Sequence, residues 1–215
     1  MYILFEENYN IIHEREAEYA EFISKIYLPE MTEIGLIPVG AHYVEIGFGP
    51  RVVGMVKAKD LEEVSRIMAT KRFKNINLGL KSFVYNYRNA ILEPIGKAKG
   101  VDYTIQKGTW KLNQYYDLQP GVKERYRDFI TNEHIPILER LDYVEVTGGW
   151  NVMIGGVSEV IAEFTFKDPV DIGRLLNNED FRWITLKLRT NFVKNYVSRV
   201  LRCTERFDEP KWFRL

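Results

Sequence analysis

Two side chains with acid–base chemistry stand where the surrounding pattern predicts burial. His134 follows Tyr126 by eight residues, on the apolar face of a helix predicted to run from 121 to about 141. A histidine there can shuttle a proton, although a core histidine bonded to the backbone is the common alternative. Glu163 lies inside a predicted strand over 160–166, where a buried carboxylate must be paired or have a raised pKa, unless the position borders solvent. We therefore take His134 and Glu163 as the candidate catalytic residues.

Five further side chains are candidates for binding a ligand. They are Trp150, Asn113, Tyr115, His42 and Tyr27. The amide and phenol of Asn113 and Tyr115 share one side of a strand, where they could orient a carbonyl group. Tyr27 and His42 stand at the positions that His134 and Trp150 occupy when the chain is aligned with itself. Ordinary packing is the alternative for each of them.

Composition and spacing exclude several classes of site. Thirty basic residues balance thirty acidic ones, so the chain has no net positive charge that would attract nucleic acid. Three histidines without metal-ligand spacing argue against a bound metal, and the lone Cys203 cannot form an internal disulfide. The segment 47–50 reads Gly-Phe-Gly-Pro and is interpreted as a turn, because no helix follows it as a phosphate cradle requires. With neither a secretory leader nor a membrane span in the pattern, we expect a cytoplasmic protein.

The chain resembles itself along most of its length. Residues 19–29 match 126–136 at a separation of 107, residues 40–80 match 148–188 at 108, and residues 83–92 match 192–201 at 109. The separation of 108 carries twelve identities between residues 39 and 83. Ordered blocks divided by single insertions indicate duplication.

Each copy has the element order β-α-β-β-α-β. The first is predicted as a strand over 2–9, a long helix over 14–34, a hairpin over 37–58, helices over 61–69 and 72–83, and a strand over 85–93. The repeats are assigned to 1–96 and 109–207, with a linker over 97–108 and a docked tail over 208–215. A sheet covered by helices on one face leaves its other face bare, so the two sheets should bury each other.

The second copy carries Tyr115-Tyr116-x-Leu118-x-Pro120-Gly121 before its long helix and Asn178-Glu179-Asp180-Phe181 after its hairpin. These motifs resemble the NIPSNAP-like branch of the dimeric α+β barrel superfamily. The resemblance implies an α+β fold in which two ferredoxin-like repeats pack sheet to sheet as an intramolecular dimeric α+β barrel. It also implies relatives that include cofactor-free monooxygenases, isomerases and haem proteins. The first copy departs from the pattern, with His13-Glu14 in place of Pro-Gly.

Three functions follow as alternatives. The first is a small-molecule enzyme or binder, cofactor-free and similar to an oxygenase or isomerase, with a cleft between the second sheet and its helices for a hydrophobic, aromatic ligand. The second is a non-catalytic interaction protein of the NIPSNAP kind. The third is a haem protein with His134 as the axial ligand. Nucleic acid and membranes are not expected as partners, and homo-oligomerisation is left open.

Overall fold

The computed structural model describes residues 2–100, 102–106 and 108–203. The sequence folds into eight strands, in which successive side chains point alternately toward the helices and toward the other sheet. The strands are β1 Ile3–Ile11, β2 Ile37–Ile46, β3 Val52–Ala58, β4 Val84–Pro94, β5 Trp110–Leu118, β6 Glu145–Gly155, β7 Val160–Phe166 and β8 Val193–Cys203. The tail predicted over 208–215 lies outside the described residues.

The helices bury one stripe each against these strands. They are α1 Glu16–Phe22, α2 Leu28–Glu33, α3 Leu61–Ala69, α4 Lys71–Lys81, α5 Lys123–Phe129, α6 Ile135–Glu139, α7 Val170–Asn177 and α8 Glu179–Asn191. Side chains cap three of them, since Asp60, Thr70 and Asn178 accept hydrogen bonds from the backbone at Glu63, Phe73 and Phe181. No helix in the described ranges is long and apolar enough to cross a bilayer.

Both long helices contain a π-helical turn at the same place. One turn, Ile23–Tyr27, joins α1 to α2, and the other, Ile130–His134, joins α5 to α6. The sequence pattern predicted continuous helices and missed both turns. Because a π turn shifts every later side chain around the helix axis, it fixes where Tyr27 and His134 point. These two residues end their respective turns.

The strands close into one barrel with the order β1-β3-β2-β8-β5-β7-β6-β4. Each half contributes four adjacent strands, and the seams are the antiparallel pairs β2–β8 and β4–β6. The two helix-facing cores stay separate, one in each half, whereas a third core inside the barrel draws residues such as Leu4 and Leu201 from both halves. The predicted α+β architecture, with two sheets burying their bare faces in each other, is confirmed.

Matched tyrosines establish the correspondence of the first strands. Tyr9 bonds to Tyr19 through their hydroxyls at 2.9 Å, and Tyr116 bonds to Tyr126 in the same way at 2.8 Å. The separation is therefore 107 along β1 and β5, which pairs Leu4 with Lys111. The identity between Leu4 and Leu112 would instead give a separation of 108. That alignment is wrong by one residue and would place the side chains of β5 on the opposite face.

Candidate functional site

The structure brings five of the seven predicted site residues into the barrel interior. They are Glu163, Trp150, Asn113, Tyr115 and His42, and all are buried. The other two, His134 and Tyr27, lie in the helix-facing cores, on the opposite side of the sheet. The predicted cleft that joins His134 to Glu163 is therefore wrong, because β7 directs Glu163 into the barrel while His134 contacts Phe164 on the outer face.

Glu163 is the acceptor at the centre of a buried polar cluster. Lys111 forms a salt bridge with it, and both side chains are almost fully enclosed. Tyr103 donates to the same carboxylate at 3.0 and 3.1 Å, and Thr147 donates at 2.8 Å. Lys111 also donates to the Tyr103 hydroxyl at 3.0 Å. With four donor contacts from three side chains, the ion pair meets the condition under which a buried charge pair is tolerated.

Trp150 and His42 occupy matched positions beside this cluster. The Trp150 ring packs edge-on against Tyr103 at 5.1 Å between centroids. A Cβ at Gly148 would lie 1.8 Å from the Trp150 ring, so only glycine fits there. Neither ring nitrogen of His42 has a hydrogen-bond partner in the described part of the chain. Burial, followed by the charge of Lys111, holds the pKa of His42 well below its usual range.

The helix-facing core of the first half holds a complete hydrogen-bond network, which we call the first-half network. Glu7 of β1 accepts from the Tyr27 hydroxyl and from the Tyr87 hydroxyl, the latter at 2.6 Å. Asn77 of α4 donates to the Tyr87 hydroxyl at 2.8 Å. Lys81 lies 4.7 Å from the centre of the Tyr87 ring. Burial raises the pKa of the Glu7 carboxyl, and the two tyrosine donors act against that rise.

The matched positions of the second half form what we call the second-half cluster: Gln114, His134, Thr185 and Tyr196. They stand 107, 107, 108 and 109 residues after Glu7, Tyr27, Asn77 and Tyr87. Four of their polar atoms are buried without a hydrogen-bond partner among the described residues: Gln114 Nε2 and Oε1, His134 Nε2 and Thr185 Oγ1. The imidazole of His134 is shorter than the phenol of Tyr27, and the neutral amide of Gln114 replaces the carboxylate of Glu7. The hydrogen bonds of the first-half network therefore do not form in the second half.

Burial sets the protonation of this cluster. It lowers the pKa of His134 to about 4, so the imidazole is neutral at pH 7. Burial also raises the pKa of Tyr196 to about 12, against the opposing effects of Arg189 and Gln114. Gln114 acts on the pKa of Tyr196, but neither of its side-chain polar atoms meets hydrogen-bond geometry. Arg189 lies 5.1 Å from the Tyr196 ring centre, as Lys81 does beside Tyr87 in the first half.

A surface groove of about 590 Å³ reaches the second-half cluster between α8 and β8. Thr185 and Tyr196 belong to its lining. Three exposed apolar side chains line it as well: Leu176, Trp183 and Leu186. An apolar rim over a few polar groups is the usual composition of a small-molecule site. His134 lies behind this lining and is 3% exposed.

Most partners of the predicted residues could not be identified from the sequence pattern. Lys111, Tyr103 and Thr147 around Glu163 were not singled out, and neither were Gln114 and Thr185. A correct alignment of the two repeats along their first strands matches Gln114 with Glu7 and Lys111 with Leu4. Each pair differs in charge or polarity, which could have marked these positions. Nothing in the linker sequence marks Tyr103 as a residue of the barrel interior.

No family model matches the chain, and no curated protein matches it. Solved structures share its fold. An anthrone oxidase-like protein is 10% identical over 95% of this chain and 91% of its own, with a TM-score of 0.66. A haem-binding protein from Thermus thermophilus is 11% identical over 100% and 95%, with a TM-score of 0.58. A NIPSNAP family protein from Agrobacterium tumefaciens is 20% identical, and 97% of that chain aligns with 46% of this one at a TM-score of 0.38.

The likenesses to the anthrone oxidase-like protein and the haem-binding protein establish the class of fold. The chain is a dimeric α+β barrel in which both ferredoxin-like units belong to one polypeptide. Identities near one residue in ten carry no further statement about activity.

A haem does not fit the residues around His134. An axial ligand needs its nitrogen open to a cavity that holds the porphyrin. His134 Nε2 is sealed from solvent, and the ring packs at 6.0 Å from Phe129 and 6.2 Å from Phe164, centroid to centroid. The groove lining does not include His134. Iron could reach this nitrogen only after the aromatic layer had been rebuilt.

Proposed function

We propose that the second half binds a small, flat, apolar molecule with one polar group, through the groove between α8 and β8, and that His134 acts on it as a base. The observation that carries the proposal is the contrast between the halves. The same four positions form a closed network in the first half and leave four buried polar atoms unpaired in the second.

The unpaired atoms have an energetic cost. A buried polar group without a partner costs about 1–3 kcal/mol, so several in one place are retained only when something offsets the cost. A ligand that offers a carbonyl or hydroxyl group to Gln114 and His134 supplies the missing hydrogen bonds. Because neither Gln114 nor His134 belongs to the groove lining, such a group reaches them only when Thr185 and Tyr196 move apart, while the apolar body of the ligand rests on Trp183 and Leu186.

The chemistry follows from the neutral imidazole. A base that is unprotonated at pH 7 can take a proton from a carbon acid next to a carbonyl group. The resulting carbanion reduces dioxygen without a cofactor. For anthrone, the methylene carbon becomes a carbonyl, one oxygen atom is retained, and the other leaves as water with the two hydrogens. The resemblance of the fold to an anthrone oxidase-like protein makes anthrone a reasonable first probe.

Anthrone binding and oxidation test the proposal. Titration followed by tryptophan fluorescence reports binding, because Trp183 lies on the rim of the groove. Absorbance of anthraquinone reports turnover. His134→Gln should lower turnover by a factor on the order of 100 or more, while binding changes far less.

Tyr27→Phe is the matched control in the first half and should leave binding and turnover unchanged. The proposal fails if anthrone does not bind. It also fails if the substitutions at 27 and 134 have the same effect, since the halves would then be functionally equivalent.

A further inference from the structure

A second group of unpaired polar atoms lies at one mouth of the barrel, where Tyr115 stands four residues along β5 from Lys111. The turn Gly47–Pro50 between β2 and β3 covers this mouth. A Cβ at Gly47 would lie 2.9 Å from the backbone oxygen of Ser198, and one at Gly49 would lie 2.7 Å from Arg199 Nη2. Both glycines have positive φ, at 127° and 79°. Glycine at these two positions therefore lets the turn close directly over Arg199.

Arg199 is enclosed and poorly compensated. It is 3% exposed, and its guanidinium lies 4.1 Å from the centre of the Phe48 ring and 4.8 Å from that of Tyr115. Nη1 donates to Asn8 Oδ1 at 3.1 Å, whereas Nε has no acceptor among the residues that the structure describes. No described carboxylate forms a salt bridge with it. A buried cation without a paired anion is costly to maintain.

Tyr115 adds a second donor without an acceptor. Its ring is buried, and its hydroxyl has no hydrogen-bond partner in the described ranges. Tyr115 and Arg199 both line a small, partly open cavity of about 30 Å³. That volume gives room for a species about the size of a water molecule, or for the head of a larger one.

The charges around the cavity favour an anion. Two arginines line it, the exposed Arg88 and the buried Arg199, together with one acidic residue, the buried Glu6. Asn8 donates to Glu6 Oε1 at 2.6 Å. Burial raises the pKa of Glu6, against the effects of Asn8 and Arg199, and this shift weakens its repulsion of an anion. Two cations against one carboxyl leave a surplus of positive charge at this mouth of the barrel.

We propose that this cavity binds a small monovalent anion, either a halide or the carboxylate head of an organic acid, between the Arg199 guanidinium and the Tyr115 hydroxyl. The turn Gly47–Pro50 is its cover. The site is separate from the groove of the second half, which lies on the other face of the sheet.

Thermal unfolding of the full chain in different potassium salts tests this site. Chloride, bromide and acetate are compared with gluconate, which is too large for the cavity, at constant ionic strength. A saturating anion should raise the Tm by about 5 °C relative to gluconate, because only the folded state binds it. A response to the halides alone identifies a free ion, and a response to acetate alone identifies an organic acid. Either result supports the site.

Tyr115→Phe should raise the Kd for the responding anion about tenfold, since it removes one donor to a charged group. Tyr116→Phe is the matched control, because Tyr116 is its neighbour on β5, is equally buried, and bonds to Tyr126 on the opposite face. Crystals soaked in bromide provide a test without substitutions, with an anomalous peak expected between Arg199 and Tyr115. Equal Tm values in all four salts overturn the proposal. Equal responses of the two tyrosine variants, or bromide found only on the outer surface, overturn it as well.

Discussion

Transplanting the first-half network into the second half should stabilise the protein and abolish its ligand site. The change is the triple substitution Gln114→Glu, His134→Tyr and Thr185→Asn, which makes all four positions alike because Tyr196 already matches Tyr87. Arg189 lies over the Tyr196 ring as Lys81 lies over the Tyr87 ring in the first half. A basic side chain therefore stands next to the matched tyrosine in both halves.

The magnitude follows from the hydrogen bonds. Four unpaired polar atoms are replaced by a network with three hydrogen bonds, worth about 1 kcal/mol each. Burying the new carboxyl group offsets part of this gain, as the raised pKa of Glu7 indicates. We expect the free energy of unfolding to rise by about 2 kcal/mol. For a chain of this size, that corresponds to a Tm increase of about 4–8 °C.

Scanning calorimetry and anthrone titration together decide the outcome. The triple variant should melt higher and should no longer bind anthrone. The reverse transplant, Glu7→Gln with Tyr27→His and Asn77→Thr, is the control and should lower the Tm. A triple variant that melts below the wild type, or that binds anthrone with unchanged affinity, would show this prediction to be wrong.

Three further predictions concern stability. Lys111→Met should lower the free energy of unfolding by about 3–5 kcal/mol, because it leaves the buried Glu163 carboxylate without its cation. The double variant with Glu163→Leu should recover most of that loss, which a double-mutant cycle by chemical denaturation measures. Gly148→Ala should destabilise by about 1–3 kcal/mol through overpacking, whereas Gly173→Ala, where an added Cβ meets nothing within 4 Å, should not destabilise; equal Tm changes would contradict this. Because the pKa of His134 is about 4 when folded, against 6.5 for an ordinary histidine, the unfolded chain takes up the proton first as pH falls. The protein should therefore lose about 3 kcal/mol of unfolding free energy as the pH falls from 6.5 to 4. His134→Gln should flatten this part of the curve of stability against pH.

Most of the architecture could be predicted from the sequence because two independent signals agreed. The hydrophobic periodicity placed each helix and strand to within a few residues, and the internal repeat required both halves to share one order. The π turns were missed since an i to i+5 hydrogen bond leaves no mark on a short apolar pattern. The assignment of the repeats and linker as separate units stays a prediction.

The site was harder to predict for a physical reason. Periodicity predicts that a residue is buried, but it does not say which of two cores receives it when both faces of a strand are covered. Glu6 and Glu7 illustrate this, since adjacent carboxylates enter the barrel and the helix-facing core respectively. Glu163 and His134 were each predicted as buried polar residues, and the sheet between them could not be read from the spacing.

The most direct test of the second-half site is the NMR spectrum of the histidine ring nitrogens, recorded at pH 7 with and without anthrone. The chain has three histidines, so each ring can be assigned. We predict that the His134 ring is neutral and that its Nε2 resonance alone moves as anthrone is added. A His134 resonance that stays fixed while anthrone binds would contradict the proposed role of this residue.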